Sequence, residues 1–544
     1  MLREWIVTLH NKEDLEGFYE DMETPGGNLF IPDRAVEVSH KRPISRNTHY
    51  MLTDDEVELI KSDDRVWGVD LRELVELSIK PSYKITNGEF DKNWFTDASD
   101  INWGLLRHSE ALNRSNWGAD GSSLIIDTLA ITASGKNVDV IIVDGHIDPA
   151  HPEFAVNSDG SGGSRIIQEN WFSHGGSGTY TYDRSGSYTN AADASDNNHG
   201  CHCAGTVAGN TQGWARDANI YNISPYSTNP NGSIGSTMWD YMREWHNTKP
   251  INPETGRRNP TVTNNSYGSS LEIGKAPFGD VDRINFRGTD FNPGRSLTQS
   301  ELQARGCYAP NSNLEMNIPY YTTSRQADLQ DAIDDGIIIV VSAGNDYWKT
   351  VNTSDQDYNN TYRIPYAGST FTTWLHRGTG SGAGYGPTIN VGALSNNVGE
   401  EKAPFSNIGS QVDIFAAGEA IQSSLHSGGI ADPRNSSYQF GKYQGTSMAG
   451  PQVAGVAALL VEQWPNATNS EIKTWIQENA ITGEMVDTGN DDPMDMLSLQ
   501  GAENRMLRWI NQRVETGNSF PKKNFANRPA DGLTYPRTRI RRRG

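Results

Sequence analysis

Cysteine is nearly missing: the chain has three in 544 residues. So small and odd a number excludes a disulfide framework, and synthesis in a reducing compartment is the simpler expectation. No stretch approaches the ~20 apolar residues that a membrane-spanning helix requires, so no membrane partner is expected. A secretory leader is not found at the start either. Glu4 comes early, and Trp5-Ile6-Val7 soon gives way to Asn11-Lys12-Glu13-Asp14, so the chain is expected to be made in the cytoplasm. A basic balance is absent too. The 46 Lys and Arg face 67 Asp and Glu, for a formal charge of −21, which argues against a general nucleic-acid binder. Glycine, by contrast, is abundant at 54 residues, in keeping with many turns and close backbone approaches. The length allows a large core and more than one domain.

The chain is organised around Gly445-Thr446-Ser447-Met448-Ala449-Gly450-Pro451 and the apolar run after it. Val453, Val456, Ala457 and Leu460 fall at helical spacing, which predicts a buried helix from Met448 onward. Ser447 then stands at a helix N-terminus, among free N–H groups and the positive dipole end. An alcohol there is well sited to attack a carbonyl, since the N–H groups can hold an oxyanion. A simple capping serine occupies the same position, and this segment alone does not separate the two readings.

Residues 1–80 read as a small α/β unit. Glu4 to His10 alternates as a strand, and Asn11 can cap a helix burying Leu15, Phe18, Tyr19 and Met22. Thr53-Asp54-Asp55-Glu56 is a capping box, and Arg65 to Leu71 a second strand. Residues 81–101 are polar and irregular and read as a linker. From residue 102 to 480, strands alternate with helices, which favours a doubly wound, mostly parallel sheet. Val138 to Val143 is a buried strand ending at Asp144, and Ile337 to Val341 another, ending near Asn345. His199 opens a helix of small residues. Residues 270 to 322 read as an insertion. Residues 481–544 form a C-terminal extension whose Arg-rich end could contact an acidic partner; a solvated end is the blander reading.

Ligands in open α/β sheets gather beyond the carboxyl ends of strands, and Asp144 and Asn345 fall at such ends. Acyl transfer by Ser447 needs a base, which His199 can supply near neutral pH. It needs an acid to hold the imidazole in one tautomer, which Asp144 can supply, and donors for the oxyanion, from Asn345 and the Ser447 N–H. Asp148 is a rival to Asp144 but fits a turn cap better. His202 reads as structural. A metal at Cys201, Cys203 and His199 would need further ligands.

The order Asp144, His199, Ser447 and the strings around them resemble the subtilisin-like serine peptidases. Gly445-Thr446-Ser447-Met448-Ala449 is similar to the nucleophile motif, and His199-Gly200-Cys201-His202-Cys203-Ala204-Gly205-Thr206 to the histidine motif. Cys203 is similar to a cysteine of the proteinase K-like branch. Val143-Asp144-Gly145-His146 is similar to the aspartate motif, with Gly145 where a hydroxyl residue is usual. Ala343-Gly344-Asn345-Asp346 is similar to the oxyanion motif. The resemblance implies a serine endopeptidase acting on proteins or peptides, with Ser266, Tyr267, Gly268, Ser342, Ala343 and Gly344 along the substrate. It needs no cofactor for chemistry, and structural calcium is common in the family. The Asp-rich loops around 185 to 196 and 353 to 357 are the places to look for it. The first 80 residues resemble the family's ferredoxin-like inhibitory prosegment, which implies self-cleavage within 81–101. A second reading of a different class is a structural or assembly component with weak or single-turnover cleavage. The Arg-rich end is similar to ends of structural proteins of large marine bacteriophages, and a virion-associated location goes with that reading.

Overall fold

The computed structural model describes residues 2–31, 37–41, 45–71, 102–110, 131, 133–174, 188 and 197–510, apart from 226, 230–231, 236, 276, 309–314, 367, 381–385, 398 and 493–494. The predicted linker with its processing site and the Arg-rich end lie outside these residues, as does the loop 185–196 except for Tyr188.

The N-terminal unit runs strand, helix, strand, strand, helix, strand. Its antiparallel sheet has the spatial order Glu37–Lys41, Asn47–Leu52, Arg3–Leu9, Val66–Leu71, which is the ferredoxin-like topology. Leu15, Phe18, Tyr19 and Met22 are buried as their spacing predicts. Thr53 and Glu56 form the reciprocal capping box. Asn11 differs from expectation. A short 3-10 turn, Lys12–Asp14, follows it, and its amide donates to Asp14 instead of capping the helix. Strands Glu37–Lys41 and Asn47–Leu52 escape the pattern because Asn47-Thr48-His49 is polar yet buried.

This unit packs on helix Thr323–Asp334. The Asp70 carboxylate accepts from the Ser324 N–H at 2.9 Å and the Thr323 hydroxyl at 2.5 Å, a favourable place for negative charge at a helix N-terminus. Asn47 donates to the Ser324 carbonyl and to Asp328, each at 3.0 Å. Only glycine fits at residue 68, since a Cβ there would stand 2.1 Å from the Thr323 hydroxyl.

The main sheet has eight strands in the order Ile481–Thr482, Arg505–Met506, Ile414–Ala417, Ile389–Leu394, Ile338–Ser342, Thr261–Asn265, Asp139–Val143, Asn219–Ile223. All neighbours are parallel except the first two. Winding reverses at Asp139–Val143, which lies between the strand that follows it in sequence and the one after that. Helix Thr446–Gln463 is buried from Thr446 through Val461, and helix Asn197–Ala208 lies beside it. The extension does not begin at residue 481. Met485, Leu499, Met506, Leu507 and Trp509 join the main core, so this domain continues to about residue 510.

The insertion at 270 to 322 folds together with a second one that precedes strand Ile389–Leu394. Ser270–Ile273 pairs with Met316–Pro319, and Arg283–Phe286 and Thr289–Phe291 share a sheet with Thr361–Tyr366 and Ser369–Trp374. Leu271, Ile284, Leu302, Trp348 and Tyr362 form their core. The sheet's outer hairpin offers Tyr366 and Phe371 to the N-terminal unit.

One buried ion pair stands out near the sheet. The Glu153 carboxylate, fully buried, accepts from Arg434 at 2.8 Å, from the Thr211 hydroxyl at 2.7 Å and from the Gln212 N–H at 3.1 Å. Burial alone raises a carboxyl's pKa, but Arg434 and these donors hold Glu153 below the usual range. Arg434→Met leaves that charge uncompensated. The expected loss is about 3–5 kcal/mol of stability, read by chemical denaturation; a loss under about 1 kcal/mol would mean the pair contributes little.

Candidate active site

Asp144 and His199, far apart in the chain, meet at the carboxyl edge of the main sheet, and Cys203 links the helix of His199 to Ser447. Strand Asp139–Val143 ends directly at Asp144. Both carboxylate oxygens face His199 Nδ1, at 2.8 and 3.0 Å. The Gly145 N–H donates to Asp144 Oδ1 at 2.7 Å, so the backbone helps orient the carboxylate where the motif lacks a hydroxyl. Asp144 is wholly buried, and His199 and Ser447 are 4% and 6% exposed. The imidazole and the serine are thus screened from bulk water, and Ser447 borders a cleft.

His199 lies in the first turn of helix Asn197–Ala208. One turn on, Cys203 Sγ stands 4.0 Å from His199 Nδ1 and donates to the Ser447 carbonyl at 3.4 Å. This one sulfur touches both helices that carry the site. Burial opposes an imidazolium at His199, but the Asp144 carboxylate and Cys203 together outweigh it and raise the pKa well above the ordinary value. Burial pushes the Cys203 thiol up to about 11, so near neutral pH it carries no charge.

Ser447 follows Thr446 at the start of helix Thr446–Gln463. The turn into it needs glycine: Gly445 has φ +153° and its N–H donates to the Gly418 carbonyl at 2.8 Å. Ser447 Oγ donates to the Ser266 carbonyl at 3.1 Å; in this rotamer the alcohol points at segment 266–268 rather than at the imidazole. Asn345 Oδ1 accepts from both the N–H and the hydroxyl of Thr446, each at 2.8 Å. With its oxygen so engaged, the amide turns its N–H donors the other way. Asn407 fixes the loop beneath. Its Oδ1 accepts from the Asp346 and Trp348 N–H groups at 3.0 and 2.8 Å, and its Nδ2 donates to the Ala343 carbonyl at 2.8 Å.

A cleft of about 260 Å³ opens at Ser447 and Asn345. Ser266, Tyr267, Gly268, Ser342 and Gly344, the residues expected along the substrate, are among its lining. Ala343 is not. It is buried, its N–H bonded to Val391 O and its carbonyl accepting from Gly380 and Asn407. Asp346, Glu272, Asn317 and Gly380 line the cleft unforeseen. Glu272, Asn317 and Gly380 sit in or beside the insertions, where no local pattern marks them. Thr446 and Asn407, which hold Asn345 and its loop, were also missed, because a supporting hydrogen bond leaves no spacing signal.

The rivals resolve as structural groups. Asp148 accepts from the Ala150 N–H at 3.0 Å and pairs with His426 at 2.9 Å. His202 stacks on Tyr443 and bonds the Ile421 carbonyl at 2.7 Å, and burial drives its pKa down to about 3. Asp144, His199 and Cys203 offer ligand atoms within 4.8 Å of one another, but the imidazole nitrogen is spent on Asp144 and Cys203 is a thiol. The residues therefore do not fit a metal there. Calcium does not fit at 353 to 357 either, since Asp357 is engaged by Arg287 at 2.6 Å and Lys349 at 2.7 Å.

Subtilisin NAT of Bacillus subtilis subsp. natto is 31% identical over 168 residues, 31% of this chain and 35% of its own length. Subtilisin of Bacillus pumilus is 32% identical over 168 residues, 31% of this chain and 48% of its own length. The chain thus spans between a third and a half of the subtilisins it matches. Alkaline serine exoprotease A of Vibrio alginolyticus is 25% identical over 455 residues, 83% of this chain and 58% of its own length. Among solved structures, fervidolysin from Fervidobacterium pennivorans, described as a keratinolytic enzyme related to subtilisin, superposes with a TM-score of 0.50 at 19% identity, over 93% of this chain and 60% of its own. That likeness concerns the fold. The peptidase S8 model, described as the subtilase family, matches residues 135–509, more than half of the sequence, and the chain belongs to that family.

Proposed function

We propose that the chain is a serine endopeptidase working through an acyl-enzyme. The observation that carries this reading is the His199 imidazole held by both oxygens of a buried Asp144 beside the Ser447 helix N-terminus. Asp144 accepts a hydrogen bond from Nδ1–H, which keeps the proton on Nδ1 and leaves Nε2 with a lone pair for the Ser447 proton. Rotation of Ser447 about χ1 turns Oγ from Ser266 to that nitrogen; apo geometry is often looser than the working complex. Oγ attacks the peptide carbonyl, the C–N bond breaks, and His199 gives its proton to the leaving amine. Water, deprotonated by His199, then attacks the acyl-enzyme and regenerates Ser447. The Ser447 N–H and the Asn345 amide stabilise the negative oxygen of each tetrahedral intermediate.

The N-terminal unit serves as an inhibitory prosegment in this reading, and the chain cuts itself within 81–101. Its docking on helix Thr323–Asp334 through Asp70 and Asn47 supports that role. A fluorophosphonate probe tests the chemistry. Its phosphorus is expected to become bonded to Ser447 Oγ, located by mass spectrometry of the digested protein. Absence of the adduct, in a chain that has lost its first 80 to 100 residues, would rule the mechanism out.

A further inference from the structure

The cleft at Ser447 has an uncommon lining for a site that takes one side chain of a peptide. Pockets of that kind are mostly apolar with a few placed polar groups. Here Gly268, Gly344 and Gly380 leave room, serines make up much of the walls, and the apolar side chains are Tyr267 and Pro319. Tyr267 is only 3% exposed and belongs to the core behind the wall. The charged residues among the described lining are Glu272 and Asp346, both negative. An aliphatic or aromatic side chain entering this cleft gains little apolar contact there.

A second cavity of about 450 Å³ joins the first. Both are lined by Glu272, Asn317, Asn345 and Asp346, and the second adds Glu315 and Lys275. The two carboxylates therefore sit where the cavities meet, and the second cavity adds one charge of each sign beyond them. Glu272 also accepts from Lys275 at 2.9 Å, a pair whose lysine is half exposed. Exchanging such a surface partner for a bound cation costs little. A carbonyl held between Ser447 and Asn345 sends its own side chain into the cleft that these two residues line. A long side chain ending in a cation reaches the junction, with its stem along the glycines.

We propose, resting on the peptidase reading, that the chain selects lysine or arginine at the residue whose carbonyl Ser447 attacks. Glu272 and Asp346 are the specificity-determining carboxylates. Self-cleavage within 81–101 then follows Lys84 or Lys92, the basic residues of that segment.

The test uses the full chain, incubated until any self-cleavage is complete, and fluorogenic peptides identical except for Lys, Arg, Gln, Phe or Glu at that residue. Lys and Arg are expected to exceed Phe in kcat/KM by about tenfold or more, the scale of one well-placed contact. The advantage shrinks in 1 M salt, where the Debye length falls to about 3 Å. In Glu272→Gln and Asp346→Asn the Lys-to-Phe ratio drops severalfold. Equal or better cleavage at Phe, or variants that slow all peptides and leave the ratio unchanged, overturns the selectivity while Ser447 still takes the fluorophosphonate. No cleavage together with no adduct overturns the peptidase reading and this one with it.

Discussion

Replacing Ser447 with alanine is expected to lower peptide hydrolysis by about six orders of magnitude, the scale known for the nucleophile of subtilisin itself. What remains is the contribution of the oxyanion donors and of binding, about 10³–10⁴ over water. The fold should hardly notice the change. The one hydrogen bond that the Ser447 hydroxyl makes, to the Ser266 carbonyl, contributes about 1 kcal/mol, and the side chain faces a cleft rather than filling a core. The variant is therefore expected to unfold within a few degrees of the parent while losing casein cleavage, the fluorophosphonate adduct and any trimming of its own N-terminus. Intact mass and a thermal scan on the same preparation separate lost chemistry from lost structure. A variant that still processes itself and cleaves casein at the parent rate would falsify the mechanism.

Much of this site was legible in the sequence because its parts are local. A strand end, a helix start and a glycine turn each leave a short pattern, and Asp144, His199 and Ser447 sit at such places. The capping box at Thr53 and the apolar spacing of Leu15, Phe18, Tyr19 and Met22 are readable for the same reason. What was not legible depends on partners distant in the chain. Asn407 shows no sign in its own neighbourhood that it will hold the loop of Asn345. The cleft carboxylate Glu272 lies on a strand of the first insertion, which finds its partner only at Met316–Pro319. The insertion at 270 to 322 shows no spacing that points to the segment before strand Ile389–Leu394, yet Ile284, Trp348 and Tyr362 give the two a shared core. Ala343 fails for the converse reason: its motif neighbours reach the cleft, but the sheet takes its backbone groups.

Replacing Asp144 with asparagine is expected to cost about 10⁴ in kcat, the loss seen when a triad carboxylate becomes an amide. The geometry says why. The Gly145 N–H donates to Oδ1, so the amide keeps its oxygen there and places its NH₂ where Oδ2 stood, 3.0 Å from His199 Nδ1. Nδ1 then faces the new NH₂ at 3.0 Å as well as the amide oxygen at 2.8 Å; in the tautomer that accepts from the NH₂ the ring proton sits on Nε2, which can no longer take the proton of Ser447. The pH dependence moves as well. In the parent, His199 acts as base only when neutral, and Asp144 raises its pKa well above the ordinary 6.5, so kcat/KM rises with pH through a midpoint above that value. With asparagine the stabilising charge is gone, and against burial, the largest influence on His199, only Cys203 remains. The midpoint is expected to fall below 6.5 while the plateau drops. Measuring kcat/KM from pH 5 to 10 for both proteins checks the two effects together. A loss below tenfold, or an unshifted midpoint, would mean that the carboxylate neither selects the tautomer nor sets the charge of the base. The imidazole would then have to be oriented by its helix alone.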